Sequence, residues 1–151
     1  NLTVLLAVPS IKGPLISFIL SADYGINIGA QMGTHLPLSS STGVVFSAFE
    51  KDVITKEWKE AELSKLTKSK IKQFQGEIEK TRALFFASKT EPLINHVSSF
   101  SVPILNFNNE LLGAITIVGI TETVPKTADH HIGQYVLNVA KEISEYFGFK
   151  K

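Results

Sequence analysis

Val97-Ser98-Ser99-Phe100-Ser101-Val102-Pro103-Ile104-Leu105-Asn106-Phe107 and Leu111-Leu112-Gly113-Ala114-Ile115-Thr116-Ile117-Val118-Gly119, with Asn108-Asn109 between them, decide the fold class. Both runs are rich in β-branched residues, which suit a pleated surface. Asn tolerates positive φ, so Asn108-Asn109 reads as the tight turn of an antiparallel hairpin. Side chains alternate along a strand. Ala114, Thr116 and Val118 therefore share one face and Ile115 and Ile117 the other, and Val97 shares a face with Ser99.

Reading outward, the N-terminus repeats the theme. Leu2 to Val8 is a short apolar run that Pro9 is expected to end. Ile11-Lys12-Gly13-Pro14 supplies turn residues, and Leu15 to Leu20 makes a second strand. Tyr24-Gly25-Ile26-Asn27-Ile28-Gly29 reads as a loop ending in a short third strand.

Three helices are expected in the middle. Pro37-Leu38-Ser39-Ser40-Ser41-Thr42 is a helix entry, and Val44, Val45, Ala48 and Phe49 recur behind it at helical spacing. A second helix covers Lys56 to Leu66. A third carries Ile71, Phe74, Ile78 and Leu84 on one stripe. Phe85 to Ser88 reads as a short strand. Ala128 to Phe147 reads as an amphipathic helix with Ile132, Val136, Val139, Ile143 and Phe147 buried and Gly148 as its cap. Strands joined by short turns, with helices between and after them, predict an α+β domain built on an antiparallel sheet.

Composition narrows the function classes. A chain of 151 residues fits one domain over 1–151. It has no cysteine, which excludes disulfides, thiol nucleophiles and Cys-ligated metals. The formal charge is +1. The lysines from Lys51 to Lys89 are interleaved with glutamates, as on a solvated helical surface and unlike a phosphate-binding stripe. No apolar run reaches the ~20 residues of a membrane span, and no signal peptide is visible. A cytoplasmic setting with no membrane partner is the expectation. The start at Asn1 suggests a domain taken from a longer protein.

The chemistry-bearing residues are few. Ser40, Ser41 and Thr42 sit at a helix start, where side chains cap free N–H groups and where those N–H groups also attract anions. Both readings, plain cap and anion site, stand. Ser99 and Thr116 are hydroxyls within apolar strands, and each wants a partner from backbone, water or ligand. His130-His131 points two rings about 100° apart, a poor chelate, so both are expected on the surface of a helix start. Trp58 is expected in the core. There is no G-x-S-x-G elbow, P-loop or G-x-G-x-x-G, and no catalytic residue, metal or cofactor is assigned.

Three collinear stretches carry a resemblance. Gly33-Thr34-His35-Leu36-Pro37-Leu38, followed by the Ser-rich helix entry, is similar to a "G-x-x-x-P-L-H-A-[ST]" segment. Val97 to Ile104, with Leu112-Gly113-Ala114-Ile115-Thr116-Ile117-Val118-Gly119 after the hairpin, is similar to "G-V-x-S-I-A-A-P-[VI]" and "V-V-A-A-L-S-V-S-G". Ala140-Lys141-Glu142-Ile143-Ser144-Glu145-Tyr146-Phe147-Gly148 is similar to "A-x-x-I-S-x-x-L-G". Together they resemble the effector-binding domain of IclR-type bacterial transcription regulators. The chain departs from that pattern beside the site: Gly43-Val44-Val45 stands where "G-K-A" is usual, Ser39 replaces the His of "P-L-H", and His96 replaces a Gly.

The resemblance implies a GAF-like twisted antiparallel sheet with helices on its faces. It implies a pocket for a small organic acid or polar metabolite formed by Ile28, Ser40, Ser41, Thr42, Val97, Ser99, Thr116 and Val118. His96 and Glu91 stand at its margin, each also readable as an ordinary loop residue. It implies a homodimer or homotetramer, and DNA contact only through a winged helix-turn-helix outside this chain. Two other functions stay open: a domain that only oligomerises, and a small hydrolase on the same fold.

Overall fold

A computed structural model describes residues 2–21, 31–90 and 96–150. In chain order these form β1 (Thr3–Ser10), β2 (Gly13–Leu20), α1 (Ser41–Phe49), α2 (Asp52–Ser64), α3 (Lys68–Leu84), β3 (Ala87–Thr90), β4 (Val97–Leu105), β5 (Leu111–Ile120) and α4 (His131–Tyr146). The strands make one sheet in the order β2-β1-β5-β4-β3, antiparallel at every pairing. This is the α+β, GAF-like architecture expected from the sequence. The stretch Tyr24 to Gly29 lies outside the described residues.

The β4–β5 hairpin turns at Asn109, whose φ is 59°. It sets Phe100 opposite Ile117 and Ser101 opposite Thr116. β1 lies between β2 and β5 and so joins the two hairpins, with Leu5 opposite Thr116 on one side and Ile19 on the other. Pro9 does not end β1. It faces Pro14 at the closed end of the hairpin, where a missing N–H costs the ladder little. β3 begins at Ala87 because Phe85 takes a left-handed conformation, φ 63°, and closes α3. β3 pairs only with Ser98 to Ser101, so Val102 to Leu105 of β4, including Pro103, extend beyond it.

Helices cover both faces. Under α1 and α3 lie Ala7, Ala114 and Leu111, packed with Val44, Phe46, Phe74 and Ile78. Under α4 lie Phe100, Val102, Ile104 and Ile117, packed with Val136 and Ala140. Phe86 and Phe100 stack in that second layer with ring centroids 4.8 Å apart. Trp58 packs half-buried against the first layer.

Two helical stripes differ from the expected ones. On α3 the buried set is Phe74, Ile78 and Thr81, and Leu84 is exposed. At about 100° per residue Leu84 points away from Ile78, while Thr81 continues the stripe. On α4 the buried set is Gly133, Val136, Ala140 and Ser144, with Ile132, Val139 and Ile143 at the flank and Phe147 exposed. The contact line runs along small residues because the helix lies close. A Cβ on Gly133 would sit 2.8 Å from the Thr127 carbonyl oxygen. Ser144 then ties helix to sheet: its hydroxyl donates to the Ala140 carbonyl at 2.7 Å and accepts from the Leu105 N–H at 3.0 Å.

Candidate functional site

α1 enters the molecule through a compact cap. The Ser40 hydroxyl accepts from the Gly43 N–H at 2.9 Å and donates to the Pro37 carbonyl at 2.7 Å. The helix start lies tightly on the segment before it: a Cβ on Gly43 would come within 2.3 Å of the Pro37 oxygen and 2.5 Å of the Leu38 oxygen. A glycine is therefore required where the helix crosses its own entry.

This cap presents Ser41 and Thr42 to the sheet. The Ser41 and Ser99 hydroxyls are 2.7 Å apart, as are those of Thr42 and Thr116. Thr116 donates to Ser101 at 2.8 Å. That uses the one proton of Thr116, so Thr42 is the donor in the pair they share. Ser41 and Thr42 are each 1% exposed, and Ser99, Ser101 and Thr116 are equally deep. A buried hydroxyl without a partner costs on the order of 1–3 kcal/mol, so these five satisfy one another. Alternation along the strands is what gathers them: Ser99 and Ser101 of β4 and Thr116 of β5 all face α1.

The helix backbone adds donors. The first N–H groups of a helix have no intrahelical acceptor. Those of Ser41 and Thr42 find none among the described residues either. They lie at the positive end of the helix dipole, over a layer of hydroxyls, in a place closed to bulk water. Beside this layer Val97 and Val118 pack with Leu5 and Ile16 and against Leu36, forming an apolar wall.

Of the expected residues, Ser41, Thr42, Ser99 and Thr116 are brought into hydrogen-bond contact, Ser40 caps the helix above them, and Val97 and Val118 lie beside them in the apolar wall. Ile28 and Glu91 lie outside the described residues. His96 is exposed, with φ 64°, and its carbonyl accepts from the Thr121 N–H at 2.7 Å. His130 caps α4, its Nδ1 accepting from the Ile132 N–H at 3.2 Å, and its ring stacks on His131. Ser101 and the wall residues Leu5 and Ile16 were not singled out from sequence. Ser101 stands two residues after Ser99, so the same alternation signals it.

One carboxylate is strongly perturbed. Glu50 caps the far end of α1, and burial, helped by the negative charge of Glu110, pushes its pKa up to about 7. Glu110 is held below the usual carboxylate range, chiefly by the Asn106 amide, which donates to it at 3.1 Å, and also by Lys51 at 3.5 Å. Glu50 follows Ser41 by nine residues, roughly 13 Å along the axis, so this carboxylate is not beside the hydroxyl layer. Among the described residues no three His, Asp or Glu side chains gather at metal-ligand spacing, and no helix is long and apolar enough to cross a membrane.

The sequence matches the family described as bacterial transcriptional regulator IclR C-terminal over residues 7–145. No curated protein matches it in sequence. Among solved structures it is similar to Pseudomonas aeruginosa HmgR, with 25% identity and a TM-score of 0.85 over 98% of this chain and 60% of that one. Thermotoga maritima IclR shares 23% identity with a TM-score of 0.76, over 97% of this chain and 62% of that one. The Agobacterium tumefaciens repressor BlcR shares 17% identity with a TM-score of 0.76, over 100% of this chain and 62% of that one. The chain thus spans about three fifths of the length of these three proteins.

Proposed function

The chain belongs to the IclR C-terminal family of bacterial transcriptional regulators, and on that premise we propose that it is the ligand-sensing part of such a regulator. The observation that carries this reading is the meeting of two backbone N–H groups, without an acceptor among the described residues, with the Ser41–Ser99 pair and the Thr42–Thr116–Ser101 chain of hydroxyls under the start of α1. N–H groups at a helix start favour an anionic oxygen, and hydroxyls adapt as donor or acceptor. The Val97–Val118 wall suits a short apolar stem. A small organic acid or polar metabolite fits this chemistry. Its differential affinity for two arrangements of the domain shifts their populations. That shift, passed through a homodimer or homotetramer, alters DNA contact by a winged-helix domain outside residues 1–151.

Thermal unfolding against small carboxylates, aromatic acids and sugar acids tests this directly. A ligand at 100 times its Kd adds about 2.7 kcal/mol, enough to raise the midpoint by several degrees. The expected result is a saturable rise that Ser99→Ala and Thr116→Val weaken. A rise indifferent to both substitutions, or none across the panel, overturns the site.

A second reading is favoured by the way the wall closes on itself. Leu5, Ile16, Val97 and Val118 fill their own layer, as in a domain that only oligomerises. Under that reading no ligand raises the midpoint, while the midpoint rises with protein concentration.

A further inference from the structure

Basic charge gathers away from the hydroxyl layer, at the β3 edge of the sheet. A cavity of about 410 Å³ opens between α3, β3, Ser98 of β4 and Lys126 after β5. Its charged lining is Lys80, Lys89 and Lys126 against one carboxylate, Glu77. Lys89 and Glu77 are 2.7 Å apart and about a quarter to a third exposed, close in distance but outside the geometry of an aligned hydrogen bond, so they form an ion pair. Lys80 and Lys126 have no carboxylate partner among the described residues. The cavity therefore carries a net excess of two positive charges.

Its neutral lining is polar. Thr81 is 3% exposed, lines the cavity, and its hydroxyl has no hydrogen-bond partner among the described residues. Ser98 already donates to Thr121 at 2.9 Å and Ser88 to the Pro125 carbonyl at 3.4 Å, while Thr90 only accepts, so Thr81 and Thr90 are the hydroxyls left to donate. The Thr81 hydroxyl opens onto the cavity and is free to bond to an occupant, and gathered ammonium groups repel one another. The occupant that offsets this repulsion and also accepts a hydrogen bond from the hydroxyl is an anion of charge about −2 with several acceptor oxygens. The volume is on the scale of small-molecule sites, roughly 300–1,000 Å³.

We propose that this cavity is a second ligand site, taking a small divalent oxyanion, either a phosphate group or a short dicarboxylate. The anion competes with Glu77 for Lys89. Binding thus transfers a cation of β3 from α3 to the ligand.

The test is a titration of this chain with inorganic phosphate and, separately, with succinate, with ionic strength held by potassium chloride. Amide resonances of Thr81 and Ser98 report occupancy. At least one probe is expected to saturate. The Lys80→Gln/Lys126→Gln variant, altered only at surface lysines, is expected to weaken binding by about tenfold or more, and Glu77→Gln to tighten it. Saturation by phosphate alone or by succinate alone supports the site and identifies the ligand class. The proposal is overturned if neither probe saturates, if the double lysine variant binds as before, or if Ser99→Ala abolishes the response, which would place the anion in the hydroxyl layer.

Discussion

The two faces of the sheet are written by the same strands, one residue out of step, and they have opposite characters. Phe100, Val102 and Ile104 of β4 and Ile117 of β5 meet α4 as an apolar layer. Their neighbours Ser99, Ser101 and Thr116 meet α1 as a hydroxyl layer, equally buried. Apolar burial stabilises by roughly 25 cal/mol per Å² removed from water, and the α4 face collects that gain with Ser144 as the buried polar residue of its helix. Under α1, each hydroxyl exchanges a bond to water for a bond to a neighbour, with a net gain near 1 kcal/mol at best. The difference teaches that both faces hold the fold through apolar packing, while the α1 face alone also buries a layer of hydroxyls.

The comparison breaks first if the apolar face is not the stronger one. Phe100→Ala removes a fully buried ring stacked on Phe86, and urea unfolding should show a loss of about 3–5 kcal/mol. A loss under about 1 kcal/mol would mean that the α4 layer is no better packed than its counterpart. Thr116→Val keeps the shape but leaves Thr42 and Ser101 without their shared partner, at an expected cost of about 1–2 kcal/mol. The triple change Thr42→Val/Ser101→Ala/Thr116→Val should cost less than this single change, because no orphan remains. A triple variant that loses more than the single one would make the hydroxyls structural.

The smallest effect sharpens the picture at the far end of α1. Glu50 keeps its proton in the folded state up to about pH 7, whereas an unfolded glutamate loses it near its ordinary value of about 4.3. The folded state thus binds more protons between these limits, and stability declines as pH rises through that window. Above pH 7 the full cost of the ionised group is present. Because the carboxyl is only partly withdrawn from water, Glu50→Gln should recover on the order of 1 kcal/mol at pH 8 and nothing at pH 4. Unfolding midpoints of the two proteins at those pH values check it.

The hairpins and the entry of α1 were legible because their signals are local. Asn108-Asn109 names its turn, Ser40 names its cap, and alternation assigns Val97 and Ser99 to one face and Thr116 and Val118 to another. That those two faces are the same one depends on strand register, which the sequence does not state. The α4 stripe was misread for a related reason. Hydrophobicity marks Ile132, Val139 and Ile143, but close approach selects Gly133, Ala140 and Ser144, and closeness is set by the partner surface. Glu50 carried no signal at all, since its altered acidity comes from burial and from Glu110, sixty residues on.

The short reach of β3 has one more consequence, which concerns solubility. An uncovered strand edge invites the addition of a strand from another molecule, the first step toward fibrillar stacking. Beyond Ser101 the outer side of β4 has no strand beside it among the described residues. There Pro103 offers no N–H, and the N–H of Leu105 is already held by Ser144. A newcomer would find a ladder with missing rungs. One imino acid and one helix serine act as gatekeepers of a segment, Val102 to Leu105, whose apolar character would otherwise favour aggregation.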